Sequence, residues 1–275
     1  MNRDRPGSVP GQTPIVYLVG AGPGAADLLT LRAGRLLAEA EIVFHDALVP
    51  GEILGLAVQA LKVPVGKRSG RHSTAQRFIN KRLADAARRY KVVVRLKGGD
   101  PMLFGRAHEE IAYLKEHGVR VEIVPGVTAA LAASAELGIS LTRRGAARSV
   151  SFVTPRVGEG EAPSSWIGAV LGADTAAIYM GAGEARSIAA ALMVAGKSGG
   201  APVAIVENAS LPQAQVRRGR LDELERLASG LSGGPAVILL GAVYGGAALA
   251  NTTAGSQVES SGTNISSSST RMKAG

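Results

Sequence analysis

The 275-residue chain carries 31 Lys and Arg residues against 22 Asp and Glu residues, and it contains no cysteine. This length suits one large α/β domain or two smaller ones, and the lack of cysteine excludes disulfides, thiolate nucleophiles, iron–sulfur clusters and cysteine-ligated zinc. Aromatic residues make up only 4%, which argues against a stacking platform for single-stranded nucleic acid. The net charge of +9 indicates either a soluble basic surface or a polyanionic partner.

The two ends of the chain are predicted to be disordered tails. Residues 1–13 carry charge, Pro and Gly without an apolar core, so they lack the pattern of a signal peptide. Residues 249–275 are rich in Ser, Thr, Gly and Asn and show no periodic apolar pattern. The uncharged stretch 227–258 has only one concentrated apolar segment, 236–240, which predicts a buried strand and not a membrane span.

In the first half of the chain, and again in the second, short apolar runs alternate with longer helical patterns, which predicts a largely parallel sheet covered by helices. The predicted strands span residues 15–19, 42–44, 92–96 and 119–124, and the predicted helices span 27–39, 73–90 and 109–117. Ser73 and Gln76 have the spacing of a capping box at the start of the second helix. Its buried stripe is expected to comprise Phe78, Ile79, Leu83 and Ala87.

Pro125 and Gly126 interrupt this alternation, which then starts again. The later predicted strands span 150–153, 176–179, 203–206, 215–218 and 236–240, and the later helices span 166–171, 185–195 and 222–228. The sequence therefore predicts two α/β domains, residues 14–125 and 126–248.

A glycine-rich turn, Gly20-Ala-Gly22-Pro23-Gly24, follows the first predicted strand. Glycine lets the backbone approach a ligand closely and adopt turns that strain other residues. A dinucleotide site wants G-x-G-x-x-G and an acidic residue about 20 positions later, a place close to Asp46. However, the third glycine comes one residue early and Pro23 has no amide donor, so a structural tight turn is an equal alternative.

A second glycine-containing loop, residues 98–105, follows the buried strand 92–96. It contains Gly98, Gly99 and Asp100 followed by Pro101, a sequence that favours a rigid loop able to grip a small polar ligand. Ligands of open α/β sheets bind at the carboxyl ends of strands. Two such loops at two strand ends therefore predict one ligand cleft.

Eight phrases of the chain resemble the uroporphyrinogen-III C-methyltransferases of the tetrapyrrole methyltransferase family, and they occur in that family's order. They are V-G-A-G-P-G-A-A-D-L-L-T-L-R-A, H-D-A-L-V, V-G-K-R-S-G-R-H-S, R-L-K-G-G-D-P-M-L-F-G-R, V-P-G-V-T-A-A, L-T-R-R-G, Y-M-G and V-E-N-A-S. The resemblance covers roughly residues 14–245. It implies a fold of two α/β/α domains with a cofactor cleft between them.

The resemblance also implies the ligands. The family binds S-adenosyl-L-methionine in a folded shape, largely through backbone groups, and releases S-adenosyl-L-homocysteine, with no metal. Matching the family's motifs onto this chain nominates as cofactor-binding residues Pro23, Gly98, Gly99, Asp100, Leu103, Thr128, Ala129, Met180 and Ala209.

The reaction implied is two methyl transfers to uroporphyrinogen III, giving precorrin-2 for sirohaem or cobalamin synthesis. The family's proposed proton acceptor falls on Asp46 and its proposed proton donor on Lys67, although Lys67 is equally suited to bind a substrate carboxylate. A substrate with eight carboxylates calls for a basic trough, for which arginine is well suited. The candidates for substrate binding are Arg68, Arg71, His72, Arg106, Arg143 and Arg144.

The chain departs from the family's usual pattern on the substrate side, at Arg143, at Pro155-Arg156 and at Ala107-His108. Three alternatives therefore stay open: a later precorrin methyltransferase, an rRNA methyltransferase of the same fold class, and a nicotinamide oxidoreductase or non-catalytic nucleotide-binding module. We expect a cytoplasmic homodimer that acts on a small tetrapyrrole, with no nucleic-acid or membrane partner.

Overall fold

The computed structural model describes residues 14–65, 76–158, 162 and 164–245. Within them the chain forms two five-stranded sheets, each packed against helices. Both predicted tails, residues 1–13 and 249–275, lie outside the described residues, and so does Ser73 of the predicted capping box. The predicted α/β class with two sheets is confirmed, whereas the predicted domain boundaries stay a prediction.

The first sheet is parallel throughout. Its strands are β1 (Ile15–Gly20), β2 (Ile42–His45), β3 (Leu61–Pro64), β4 (Val93–Lys97) and β5 (Arg120–Val124), in the order β3-β2-β4-β1-β5. Its helices are α1 (Leu31–Glu39), α2 (Gly51–Gly55), α3 (Gln76–Ala87) and α4 (Ala107–Glu116). The carboxyl ends of parallel strands meet at one edge, so the loops after β1, β2, β4 and β5 all emerge there.

The central strand β4 has a different environment on each face. Val93 packs with Leu83 and Leu114 of α3 and α4, whereas Val94 and Leu96 pack with the residues of α1 and α2. All five residues of β4 are buried, although two of them are Arg95 and Lys97. Because buried charges need partners, this strand points to an ionic network under α3 and α4.

The second sheet is mostly antiparallel, so the prediction of a largely parallel sheet is wrong for this half of the chain. Its strands are β6 (Val150–Val153), β7 (Thr175–Tyr179), β8 (Pro202–Glu207), β9 (Gln215–Arg220) and β10 (Ala236–Gly241), in the order β6-β7-β10-β8-β9. Only β6 and β7 run parallel. Strands β7, β8 and β10 are buried almost throughout, and continuous apolar runs of this kind are usually the mark of parallel strands.

Helices α5 (Ala129–Leu137), α6 (Trp166–Leu171), α7 (Ala185–Val194) and α8 (Leu224–Ser229) pack against the second sheet. Three elements, α2, β3 and α5, were not predicted. The helix predicted over 27–39 begins only at Leu31, because Thr30 caps it through Oγ1 to the amide of Ala33 at 3.1 Å. Phe78 is half exposed and not part of the buried stripe of α3, because the buried face includes Asn80 and Ala84 instead.

The described residues lack both a membrane-spanning helix and a cluster of metal-ligating side chains. No helix there has the length and apolar character needed to cross a membrane. The same residues contain no group of three or more His, Asp or Glu side chains placed to hold a metal ion.

Candidate functional site

The two predicted glycine loops pair with each other at the carboxyl edge of the first sheet. The amide of Gly99 donates to the carbonyl of Gly22 at 2.7 Å, and the amide of Gly22 donates back to Gly99 at 3.2 Å. The amide of Ala21 bonds the carbonyl of Lys97 at 2.7 Å, so the pairing continues the ladder between β1 and β4. Pro23 and Leu103, half-buried, lie in these same two loops.

The segment after β5 joins these loops through Asp100. One carboxylate oxygen of Asp100 accepts from the amide of Gly126 at 2.9 Å, and the other accepts from the amide of Met102 at 2.8 Å. A β-carbon at Gly20 would stand 2.7 Å from both Gly126 Cα and the carbonyl oxygen of Gly99. Three backbone segments therefore meet at a spot that admits no side chain at Gly20.

Beside this contact the backbone of Gly98 and Gly99 borders open space. Gly99 has φ +65°, a conformation that favours glycine, and among the described residues a β-carbon there would meet only the Cα of Thr128, at 4.0 Å. A β-carbon on Gly98 would meet, of the same residues, only the Cβ of Leu48, at 3.6 Å. The site is a backbone-lined cradle that a side chain would fill, which fits a ligand gripped by main-chain groups.

Tyr179 at the end of β7 connects the second sheet to this cradle, and sequence reasoning missed its role. Its hydroxyl shares a hydrogen bond with Thr128 Oγ1 at 2.6 Å and accepts one from the amide of Ala130 at 3.1 Å. Its ring packs with Phe104 at 5.2 Å between centroids and with Phe152 at 6.2 Å. Burial raises the pKa of Tyr179 despite the opposing hydrogen bonds, so its hydroxyl stays protonated at neutral pH.

The loop after β8 reaches back to the first glycine loop. Ser210 Oγ accepts from the amide of Ala25 at 3.1 Å, and the Ser210 amide donates to Glu136 at 2.9 Å. At the start of this loop, the carboxylate of Glu207 accepts hydrogen bonds from Ser232 and from the Gly234 amide at 2.6 to 2.9 Å. These bonds tie the loop to the segment that precedes β10. The side chain of the neighbouring Ala209 is buried in the core between α5 and the second sheet, so Ala209 can bind a ligand only through its backbone groups.

Non-glycine residues with left-handed backbone occur only in these loops within the described part of the chain. They are Phe104, Arg106, Met180, Asn208 and Ser210. Such a conformation costs a side-chain-bearing residue about 1–2 kcal/mol, so the loops are held in shape by their surroundings. Met180, one of the predicted cofactor-binding residues, is 45% exposed directly after Tyr179.

Asp46, the predicted proton acceptor, belongs to a buried ionic network. Its Oδ1 accepts from Arg95 Nη2 at 2.6 Å, and the Nε of Arg95 donates to Glu110 at 3.0 Å. Glu110 is fully buried and also accepts from Lys97 Nζ at 3.1 and 3.2 Å and from Gln76 at 3.0 Å. The Asp46 side chain is 28% exposed, whereas those of Arg95 and Lys97 are almost fully buried.

The two cations of this network respond differently to burial. Burial by itself lowers the pKa of Arg95, but Asp46 and Glu110 outweigh that effect and raise it above its ordinary value. The pKa of Lys97 is lowered, mainly by burial and secondly by the nearby charge of Arg95. The contact of its ammonium group with Glu110 opposes this shift but does not outweigh it. Arg95 is therefore the fixed positive charge that bridges the two carboxylates.

Of the predicted basic trough, only part is within the described residues. Lys67, Arg68, Arg71 and His72 lie outside them. Arg106 is exposed and its guanidinium bonds both oxygens of Glu109, at 2.6 and 2.8 Å. Arg143 and Arg144 are exposed in a turn closed by two hydrogen bonds of 2.8 Å between the backbones of Arg143 and Ala147.

Comparisons with known proteins identify relatives over most of the chain. Residues 15–225 match the family model described as Tetrapyrrole (Corrin/Porphyrin) Methylases. The uroporphyrinogen-III C-methyltransferase of Pseudomonas aeruginosa is 43% identical over 229 residues, which cover 83% of this chain and 93% of that protein. The siroheme synthase of Zymomonas mobilis is 44% identical over 231 residues, covering 84% of this chain.

The chain spans about half the length of the siroheme synthases it matches, 49% for the Zymomonas protein. Among solved structures, the uroporphyrin-III C-methyl transferase of Thermus thermophilus complexed with S-adenyl homocysteine is 42% identical with a TM-score of 0.73. That match covers 83% of this chain and 97% of the Thermus chain. A cobalt precorrin-4 methyltransferase is 27% identical with a TM-score of 0.72, covering 84% of this chain and 96% of that one.

Proposed function

Because this chain belongs to the tetrapyrrole (corrin/porphyrin) methylase family, we propose that it transfers two methyl groups from S-adenosylmethionine to uroporphyrinogen III, giving precorrin-2. The observation that carries the proposal is the glycine cradle, in which three loops of the first sheet converge on open space at Gly99. The Thermus relative complexed with the demethylated product supports the choice of donor, and the Pseudomonas relative supports the choice of acceptor.

The cradle fits S-adenosylmethionine, which when bound supplies an electrophilic methyl group on a sulfonium. Gly98, Gly99 and Asp100 present backbone on one side, and Thr128, Ala129 and Met180 lie on the side of the second sheet. Asp100 acts mainly as a brace, because both of its oxygens already accept from backbone amides. Pro23, Leu103 and Ala209 complete the proposed set through the same loops.

In the proposed reaction, Asp46 and the basic residues act on the tetrapyrrole that accepts the methyl groups. A pyrrole carbon becomes a better nucleophile as its ring loses the N–H proton, and a positioned carboxylate at Asp46 can accept that proton. Lys67 either returns a proton or binds a substrate carboxylate. We propose that Arg68, Arg71, His72, Arg106, Arg143 and Arg144 bind the carboxylates of the tetrapyrrole.

The dinucleotide alternative is disfavoured by the same geometry. Gly22 is engaged with Gly99 instead of facing a pyrophosphate, and one oxygen of Asp46 is already held by Arg95. A homodimer located in the cytoplasm is part of the proposal and comes from the family resemblance.

The test is to incubate the protein with labelled S-adenosylmethionine and enzymatically made uroporphyrinogen III and to look for dimethylated product. Calorimetry with S-adenosylhomocysteine and with NAD, both without metal, supplies the matched binding comparison. We expect dimethylated product and binding of S-adenosylhomocysteine alone. Micromolar NAD binding with no response to S-adenosylhomocysteine would overturn the cofactor assignment.

A further inference from the structure

The side chain of Arg95 bridges the open cleft and the buried interior of the first sheet. Through Nη2 it holds Oδ1 of Asp46, through Nε it bonds Glu110, and through Nη1 it donates to the carbonyl of Leu96 at 3.2 Å. Its side chain is 3% exposed. Each of the three nitrogens of the guanidinium therefore has a partner, which fixes the plane of the group.

Glu110 in turn holds Arg95 from the far side. It is fully buried on α4 and is itself surrounded by Lys97 and by Gln76 of α3. The charges of Arg95 and Lys97 balance those of Asp46 and Glu110. Helices α3 and α4 cover these four side chains. Arg95 consequently cannot follow Asp46 if that side chain rotates, because moving it would strip Glu110 of a buried partner.

Asp46 is held on one oxygen only. Oδ1 is bonded to Arg95, whereas Oδ2 has no hydrogen-bond partner among the residues that the structure describes. Of the four charged side chains in the network, Asp46 is the one that is partly exposed. The arrangement presents one defined carboxylate oxygen at the carboxyl edge of the sheet, beside the cradle loop that follows Arg95 and Lys97 in the chain.

We propose that Arg95, locked by Glu110, is a positioning residue that aims Oδ2 of Asp46 at the pyrrole N–H of the acceptor. This inference rests on the proposed methyl transfer. In that step the ring carbon gains the methyl group, the carbon–sulfur bond of the donor breaks with its electron pair left on sulfur, and the N–H proton passes to Oδ2. A freely rotating Asp46 would lose the alignment that makes such a transfer efficient.

The deciding experiment is a double-mutant cycle between Arg95→Lys and Asp46→Asn. Lysine keeps the buried positive charge beside Glu110 but has no planar fork, so it cannot bridge both carboxylates. We expect Arg95→Lys to lower single-turnover methylation at least about tenfold, with S-adenosylhomocysteine affinity held within about threefold. In the Asp46→Asn background the same change should cost less than about threefold, because its effect acts through Asp46.

The matched control is Asp85→Asn on α3, which affects the exposed pairs of Asp85 with Lys81 and Arg88 and should leave methylation unchanged. Glu110→Gln is the second variant: it keeps an acceptor oxygen for Arg95 and should give a smaller loss that again disappears in the Asp46→Asn background. If the losses of the two single variants add in the double variant while the wild-type protein is active, the positioning role of Arg95 is wrong and the proposed function stands. A collapse of S-adenosylhomocysteine affinity in Arg95→Lys would have the same meaning. Wild-type protein without activity towards uroporphyrinogen III would overturn the proposed function as well, and failure of both variants to fold would assign the network to stability.

Discussion

Gly20 at the end of β1 and Gly126 after β5 lie in backbone contact. A β-carbon at Gly20 would stand 2.7 Å from the Cα of Gly126, and one at Gly126 would collide with the carbonyl oxygen of Gly99. Neither glycine has a left-handed backbone, so proximity and not conformation excludes other residues here. The cradle therefore depends on three main chains approaching one another without side chains between them.

Gly126→Ala should push these chains apart. Forcing an extra methyl into a packed site typically costs about 1–3 kcal/mol of unfolding free energy, and S-adenosylhomocysteine affinity should fall at least about tenfold with it. Denaturant unfolding and calorimetry measure the two effects. The control is Gly34→Ala in α1, where a β-carbon meets no atom of the described residues within 4 Å and helix propensity predicts a gain of about 0.5–1 kcal/mol. Equal behaviour of the two variants would contradict the packing argument.

Asp46→Asn keeps the shape of the side chain and an oxygen for Arg95 but removes the proton acceptor. Positioned general bases contribute about a hundred- to ten-thousand-fold, and we expect turnover to fall at least about tenfold, since alignment supplies part of the rate. Donor affinity should stay within about threefold, because the cradle lies on other residues. Single-turnover methylation and calorimetry on one preparation separate these effects. Normal turnover would leave Asp46 a turn residue.

Tyr179→Phe removes the hydroxyl that joins Thr128 and the amide of Ala130. Leaving these partly buried groups without that partner should cost about 1–3 kcal/mol of stability and weaken S-adenosylhomocysteine binding, because Thr128 borders the cradle. Tyr244→Phe is the matched control, since the buried hydroxyl of Tyr244 has no hydrogen-bond partner among the described residues. If the two variants lose affinity alike, the hydroxyl of Tyr179 does not organise the site.

Tyr244 also gives a prediction for alkaline pH. Burial raises the pKa of Tyr244 to about 12 from an ordinary value of 10.0. Between these values the unfolded chain loses the proton while the folded chain keeps it, so this group lowers stability as the pH rises through that window. Tyr244→Phe should remove the effect. Unfolding free energies of both proteins at pH 9 to 11 should diverge in favour of the variant, and parallel curves would refute the expectation.

Lys67→Ala tests the substrate side, on a residue outside those that the structure describes. We expect a higher Michaelis constant for uroporphyrinogen III and an unchanged one for S-adenosylmethionine, under the proposal that the lysine binds a substrate carboxylate and not the donor. The contact should weaken as salt increases, since added salt screens charge pairs. Initial rates at two salt concentrations measure both effects. A loss of donor binding instead would place this loop in the cofactor site.

Much of the fold followed from buried apolar runs, and the exceptions have physical causes. Strand β6 and helix α6 coincide with their predicted bounds, because turn residues flank clear apolar patterns. Strand β3 was missed because it is a mostly exposed edge strand ending in Pro64. Helix α5 was missed because its alanine-rich sequence gives little contrast between buried and exposed faces. Strand direction in the second sheet depends on long-range pairing, which apolar runs do not encode.

The sequence pointed to the glycine loops of the candidate site. It did not reveal the ionic contacts, because their residues are distant in the chain. The sequence predicted that the two glycine loops form one cleft, and the structure shows Gly22 paired with Gly99 between them. Arg95 and Lys97 alternate within an otherwise apolar strand, a pattern that signals a buried ionic face but not its partner. Glu110 supplies that partner from a helix 13 residues after Lys97, and only the packing of α4 on the sheet brings them together.

The left-handed residues of the ligand loops set a limit on how far this protein can be made heat-resistant without loss of function. Glycine at Met180 would relax the backbone, so a laboratory selection for survival at high temperature would tend to collect substitutions there. Met180 is also one of the residues proposed to bind the methyl donor. The selected variants would unfold at a higher temperature than the original protein but bind the donor less tightly. Added donor would therefore raise the unfolding temperature of the original protein more than that of the variants.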